Sequence, residues 1–201
     1  MKYSYYPGCS LEKNAAAYDW STRAIAAPLG IELVEVEDWN CCGATEDMSL
    51  NMTAAYSLIA RNLAQAAKNE GIDELMAPCS ACYLNLRKTD KYLGMKGGLS
   101  DRVSEALAAG GLSYTPGTLQ VRHLLDVVYN DVGLDRLAEK TIRPLYGLKV
   151  APYYGCLVVR PKFGDSAEDP ENPTHLDKIL QTIGARVVDY DLKTECCGGH
   201  M

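Results

Sequence analysis

The sequence predicts an α/β protein made of two tandem, pseudo-repeated small α/β domains, joined by a helical connector, with the second copy incomplete. Three observations predict it. Short β-prone runs alternate with helical stretches, one order of elements and cysteines occurs twice, and the cysteines fall at predicted strand ends. The 201 residues allow one domain or two small ones. With 47% hydrophobic and 23% charged residues, the chain can build a core. Its net charge of -6 supplies no electrostatic footprint for nucleic acid or an anionic membrane. No apolar run approaches the length of a membrane span, and the stretch from Met1 to Pro7 lacks the apolar segment of an export signal. The protein is therefore expected to be cytoplasmic.

In the first copy, residues 1–100, a β-prone run from Lys2 ends in Pro7-Gly8-Cys9. The Ala-rich residues 14–28 suit a helix that Gly30 stops, and a β-branched strand follows before Cys41-Cys42-Gly43. Over residues 49–70, Met52, Ala55, Leu58, Ile59, Leu63 and Ala66 recur at helical spacing, with Ser49 able to cap and Gly71 able to stop the helix. Residues 74–77 read as a short buried strand running into Cys79-Ser80-Ala81-Cys82, and residues 83–93 as a helix. In parallel α/β sheets the loops at the carboxyl ends of strands hold ligands, so three loops and five cysteines can converge on one point.

Residues 101–145 contain no cysteine and read as the connector, with helices expected over 103–109 and 121–132. The second copy, residues 146–201, repeats the order. Lys149-Val150-Ala151-Pro152-Tyr153-Tyr154-Gly155-Cys156 matches the first run, and Ile183-Gly184-Ala185-Arg186-Val187-Val188 leads to Cys196-Cys197-Gly198. Thirty-one residues separate Cys9 from Cys41, and thirty-nine separate Cys156 from Cys196. The surplus falls around residues 163–173, a loop by its Gly, Pro and Asp content. The second copy stops four residues after Cys197, before its own Cys-x-x-Cys, and reads as truncated.

Eight clustered cysteines without an export signal point to metal ligands or redox groups rather than disulfides. Cys79-x-x-Cys82 alone serves zinc sites, redox dithiols and iron–sulfur clusters alike. Adjacent residues in an extended segment point opposite ways, so Cys41 and Cys42 suit a multi-iron cluster better than one small ion. Five thiols also exceed the four ligands of a closed zinc site. A structural zinc site and inert buried cysteines remain as alternatives. His123 reads as a helix cap or surface residue, His175 as solvated in a Pro-flanked loop, and His200 as a ligand only by accident of position. Tyr5, Tyr6, Tyr153 and Tyr154 could donate hydrogen bonds to sulfur, with ordinary strand packing as the simpler account. Lys13, Arg23, Arg122 and Arg160 read as scattered, solvated charges.

The pattern Cys9, Cys41-Cys42-Gly43, Cys79-x-x-Cys82, followed by Cys156 and Cys196-Cys197-Gly198-Gly199, resembles the cysteine-rich CCG domain. In tandem it resembles the family of the B-type subunits of heterodisulfide reductase, and Asp169-Pro170-Glu171-Asn172-Pro173 also fits that family. The resemblance implies one non-cubane [4Fe–4S] cluster per copy. Cys9, Cys41, Cys42, Cys79 and Cys82 would hold the first, and Cys156, Cys196 and Cys197 part of the second. It also implies reduction of a small disulfide at the clusters, with electrons from a ferredoxin-like iron–sulfur subunit that a flavoprotein subunit supplies. Methanogen-type members carry His where this chain has Leu157, which points away from the coenzyme M–coenzyme B heterodisulfide and towards a bacterial sulfur substrate. The alternatives are an electron-transfer subunit of a flavin-dependent hydroxyacid or succinate-type oxidoreductase, and a zinc-stabilised interaction module. With its second site incomplete, the chain is expected to be inactive alone, and its sites to be empty if it is made in air.

Overall fold

A computed structural model describes residues 1–44, 46–95, 97–160 and 168–199. Part of the predicted 163–173 loop, and His200, lie outside these residues. The chain divides into two compact units. The first comprises Met1–Ala27 and Ile31–His123, and the second Pro28–Gly30 and Leu124–Met201.

The first unit is an α/β layer structure. Its elements are β1 (Lys2–Tyr5), α1 (Gly8–Glu12), α2 (Ala16–Leu29), β2 (Glu32–Glu35), α3 (Asp47–Leu50), α4 (Met52–Ala66), β3 (Glu74–Met76), α5 (Ser80–Gly94), α6 (Gly98–Ala109) and β4 (Gln120–Arg122). The four strands form one parallel sheet in the order β2-β1-β3-β4. Tyr5 of β1 stands opposite Glu35 of β2 and Met76 of β3. The winding reverses at β1, so the carboxyl ends of β1, β2 and β3 open onto the place where such sheets hold ligands.

Central β1 is buried on both faces, as a parallel strand covered by helices must be. Its tyrosines supply large apolar area and each needs a partner for its hydroxyl. The Tyr5 hydroxyl donates to Asp19 at 2.6 Å, and that of Tyr6 to the Asn40 carbonyl at 2.6 Å. Ile59, Leu63 and Ala66 of α4 and Leu86 of α5 meet Leu75, Ala77 and Val121 in the core. A second cluster joins Tyr56 and Ala60 to Val103 and Leu107 of α6.

Two local expectations change. The helix starting near residue 49 is split: α3 stops at Leu50, and Asn51 caps α4 by accepting the Ala54 N–H at 3.0 Å. The helix expected over 121–132 begins as a strand, because Leu75 of β3 pairs with Val121 and a buried slot at the sheet outcompetes local helical spacing.

The second unit contains α7 (Leu124–Asp126), which passes into a π-helical turn (Val127–Val132), then α8 (Leu134–Lys140), β5 (Lys149–Val150), α9 (His175–Thr182) and β6 (Arg186–Val187). β5 and β6 pair in parallel, as β1 and β2 do. The helices before β2 and β6 end alike: Ile31 N–H reaches the Ala26 carbonyl at 2.9 Å, and Ala185 N–H reaches that of Leu180 at 3.0 Å. The repeat read from the sequence is thus present in the backbone. Among the described residues no helix is long and apolar enough to cross a membrane.

Leu75 is fully buried at the sheet centre, whereas Leu50 is 84% exposed. Leu75→Ala is expected to cost about 2–5 kcal/mol of stability, and Leu50→Ala less than about 0.5 kcal/mol. Denaturant midpoints of the two variants check this difference.

Candidate metal centre

Three loops at the carboxyl end of the first sheet bring five thiols together. Cys9 follows β1 in the first turn of α1. Gly8 before it has φ +75°, and a Cβ there would stand 2.8 Å from Cys82 Sγ, so only glycine admits this approach. Cys41 and Cys42 follow β2 and point opposite ways, as their adjacency requires. Exposed Cys41 meets Cys9 at 3.3 Å (Sγ–Sγ), and buried Cys42 meets Cys82 at 3.4 Å. Cys79 is the N-cap of α5 and Cys82 lies in that helix's first turn. All eight cysteines are free thiols.

The segment around Cys41-Cys42 is held from several sides. Asn62, buried on α4, pairs its amide with the Asn40 backbone: it accepts the N–H at 2.9 Å and donates to the carbonyl at 2.9 Å. The Tyr6 hydroxyl donates to the same carbonyl. After the pair, Gly43 (φ +72°) and Ala44 (φ +46°) are both left-handed. This conformation directs the Gly43 N–H at Cys41 Sγ, 3.4 Å away. Asn85, buried on α5, donates to the carbonyls of Cys42 (3.3 Å) and Ala44, and to Cys42 Sγ at 3.6 Å. Asn62 and Asn85 escaped the sequence reading. The available signal was an amide on an otherwise apolar helical face, beside Ile59 and Leu63 in one case and Cys82 and Leu86 in the other.

The thiols differ in acidity. Cys79 is lowered to about 6, first by the hydrogen bond from Cys82, aided by the N–H groups of Ala81 and Cys82 and opposed by burial. The first turn of a helix favours a thiolate in the same way. Cys42 is also lowered, first by the Cys82 thiol. Cys82 is pushed up because its proton serves both neighbours. Burial, partly offset by the Gly43 N–H, pushes Cys41 up to about 11.

Cys9 and Cys41 open onto a cleft of about 640 Å³, rimmed by Glu12, Lys13, Glu35, Glu37, Asp38 and Trp39. Trp39 packs edge-on against Tyr6, with ring centroids 5.4 Å apart. Among the described residues, no three His, Cys, Asp or Glu side chains are disposed as ligands of a single ion. The two close thiol pairs plus Cys79 are a donor set suited to a multi-centre group, whose metals can accept neighbouring thiolates separately.

In the second unit Gly198 (φ +74°) directs its N–H at Cys196 Sγ, 3.4 Å away, and the Tyr153 hydroxyl donates to the Glu195 carbonyl at 2.5 Å. These contacts reproduce those of Gly43 and Tyr6. Cys156 is raised, first by burial and then by its hydrogen bond with Cys196. Cys197 is exposed.

The four tyrosine hydroxyls donate to oxygen rather than sulfur, in keeping with the simpler account of them: Tyr5 to Asp19, Tyr6 and Tyr153 to backbone carbonyls, and Tyr154 to Asp177. Other expectations are corrected. His123 is buried, its ring edge-on to Tyr83. His175 is buried in α9, stacked on Tyr129 at 3.7 Å and 3.4 Å from a Glu168 oxygen, because the loop before it folds back onto the helix start. Arg23 pairs with Asp19 and Glu35, Arg122 with Glu74, and Arg160 with Glu171.

In metal-free protein, Cys79 alkylation by iodoacetamide is expected to reach half its maximal rate near pH 6, and that of Cys41 only near pH 11, since the thiolate is the nucleophile. Mass spectrometry of modified peptides against pH checks the order. Equal profiles near the ordinary thiol value would overturn it.

The sequence matches the cysteine-rich domain family (CCG) over residues 3–87 and 150–201. It is 37% identical over 199 residues to the 8-methylmenaquinol:fumarate reductase membrane anchor subunit of Wolinella succinogenes, covering 99% of this chain and 68% of that one. It is 34% identical over 201 residues to a protein of Archaeoglobus profundus that is like the B-type subunit of heterodisulfide reductase, covering 98% and 66%. The B-type subunit of a ferredoxin:CoB-CoM heterodisulfide reductase of Methanosarcina mazei is 27% identical over 198 residues, covering 98% and 65%. The chain thus spans about two thirds of the length of these relatives. A crystal structure of a hypothetical protein from Helicobacter pylori shares the fold, with a TM-score of 0.66 and 13% identity over 96% of this chain and 33% of that one. On the match of both segments and the paired Cys-Cys-Gly turns, the chain belongs to the cysteine-rich CCG domain family, among whose members are subunits of reductase complexes.

Proposed function

We propose that this chain is an iron–sulfur subunit of a heterodisulfide reductase-like oxidoreductase, with Cys9, Cys41, Cys42, Cys79 and Cys82 holding a non-cubane [4Fe–4S] cluster. The observation that carries this reading is the convergence of five free thiols, in two close pairs plus Cys79, at the carboxyl end of one parallel sheet. Bound there, such a cluster supplies single-electron transfer. Cys156, Cys196 and Cys197 belong to the second site, with the same Gly N–H to sulfur contact.

The chain's own residues set the conditions for that chemistry. Asn62 and Tyr6 fix the Asn40 backbone, which orients Cys41 outward and Cys42 inward. The Gly43 N–H and the Asn85 amide offer hydrogen bonds to sulfur, which offset thiolate charge. Cys9 and Cys41 face the open cleft, whose rim Trp39 shares while packing edge-on against buried Tyr6. Reduction of a disulfide consumes two electrons and two protons and gives two thiols. The electrons would come from a ferredoxin-like subunit fed by a flavoprotein subunit, and the substrate would be a small disulfide. In this reading the chain does not turn over substrate without those electron-donor subunits.

The Wolinella relative favours a second reading. Its name places it in a quinol:fumarate reductase, so this chain would relay electrons for a succinate-type enzyme without binding a disulfide itself. Disulfide turnover by the assembled complex separates the two.

Anaerobically reconstituted wild type is expected to bind iron and acid-labile sulfide. Cys41→Ala and Cys42→Ala should each abolish loading of the first site, and Cys156→Ala should leave it loaded. Wild-type iron and sulfide in both the Cys41 and Cys42 variants would sink the ligand assignment.

Metal removal is expected to leave the far-ultraviolet circular dichroism largely intact. The core rests on residues such as Ile59, Leu63, Leu75 and Leu86, whereas in a zinc finger the metal supplies the folding energy. Collapse of the spectrum on chelation would show that the fold depends on the metal.

A further inference from the structure

We infer that Asn85 sets the reduction potential of the first metal centre by donating a hydrogen bond to Cys42 Sγ. The inference deepens the proposed function and rests on it, since it presumes that Cys42 holds the cluster.

Asn85 lies on α5, one turn beyond Cys82, and is only 4% exposed. A buried amide on an apolar face costs free energy unless its hydrogens find acceptors. The Asn85 amide nitrogen carries two hydrogens and faces three acceptors: the Ala44 carbonyl, the Cys42 carbonyl at 3.3 Å and Cys42 Sγ at 3.6 Å. One hydrogen goes to Ala44, and the other is shared between the two Cys42 atoms. A negatively charged sulfur attracts a donor more strongly than a neutral carbonyl does, so the shared hydrogen turns to Sγ when the sulfur is a thiolate.

The backbone around it is arranged for this contact. Ala44 is held left-handed, a conformation that a residue with a Cβ adopts only at a cost, and its carbonyl is what Asn85 grips. Gly43 meanwhile serves Cys41, so each cysteine of the pair has its own N–H donor. Hydrogen bonds to cluster sulfurs are among the terms that set potential. A donor withdraws charge from the thiolate and favours the reduced state, so its removal lowers the potential.

The test compares anaerobically reconstituted wild type with Asn85→Ala and Asn62→Ala, reading iron, acid-labile sulfide and the midpoint potential by redox titration. Both variants release the backbone around the cysteine pair, but only Asn85→Ala removes a donor to sulfur. The expected result is retained iron and sulfide, with a downward shift in Asn85→Ala that exceeds any shift in Asn62→Ala. Equal potentials in the two variants, or no shift in Asn85→Ala, would overturn the inference. Should Asn85→Ala fail to load, or wild type itself bind no iron, amide NMR of the metal-free protein decides. The Asn85 side-chain resonances should move in Cys42→Ala, which keeps the carbonyl and deletes the sulfur, and stay in place in Cys9→Ala. Wild type without iron or sulfide would defeat the cluster reading and the potential assigned to it, whereas resonances that ignore Cys42→Ala would refute the contact whatever the cluster does.

Discussion

The structure of the first unit turns on how the segment from Asn40 to Ala44 is held. Neighbouring cysteines in an extended chain must face opposite ways, and here one faces the cleft while the other enters the core. That arrangement survives only if the backbone cannot rotate. Asn62 fixes it ahead of the pair and Asn85 behind it, from two different helices, with Tyr6 reaching from the end of β1. Each such hydrogen bond contributes about 1 kcal/mol net, whereas a buried amide left without partners costs about 1–3 kcal/mol. The asparagines are therefore tied to the loop as firmly as the loop is tied to them.

The parallel sheet supplies the frame for this clamp. Strand order β2-β1-β3-β4 puts the loops after three consecutive strands side by side, although Cys9, Cys41 and Cys79 are far apart in sequence. Gly8 completes the approach by leaving room for the Cys82 sulfur. Close packing then produces the spread of thiol acidities. The Cys82 proton is shared by two neighbours, so Cys42 and Cys79 become thiolates readily while Cys82 holds on.

Much of this was legible in the sequence. Strand–helix alternation and cysteine spacing carried the α/β class and the convergence of Cys9, Cys41, Cys42, Cys79 and Cys82, because both depend on periodicity and on where strands end. The reading lost ground where a tertiary partner decides the outcome. Val121 becomes a strand residue because β3 offers an open edge, and Asn51 rather than Ser49 caps α4 because the chain breaks after Leu50. His123 reads as a helix cap or surface residue and His175 as solvated, since the aromatic rings that cover them, Tyr83 and Tyr129, are distant in sequence. Asn62 and Asn85 went unnoticed because one polar residue on a helical face resembles the edge of an amphipathic stripe until its partner is seen.

The two copies agree most closely where side-chain identity matters least. Tyr6 donates to the carbonyl of Asn40 and Tyr153 to that of Glu195, so the acceptor belongs to the backbone and the residue bearing it can change. Gly43 and Gly198 each aim an N–H at the sulfur two residues earlier, a contact that requires a left-handed φ and no side chain. The duplicated feature is thus a turn geometry, written in the sequence only as a tyrosine three residues before one cysteine and a glycine after a cysteine pair. One neighbour of the turn does change: Tyr6 packs on Trp39, two residues before its cysteine pair, and Thr194 stands at the matching position before Cys196. A repeat that keeps the turn while a flanking side chain changes preserves the way the first sulfur of each pair is presented to its N–H donor.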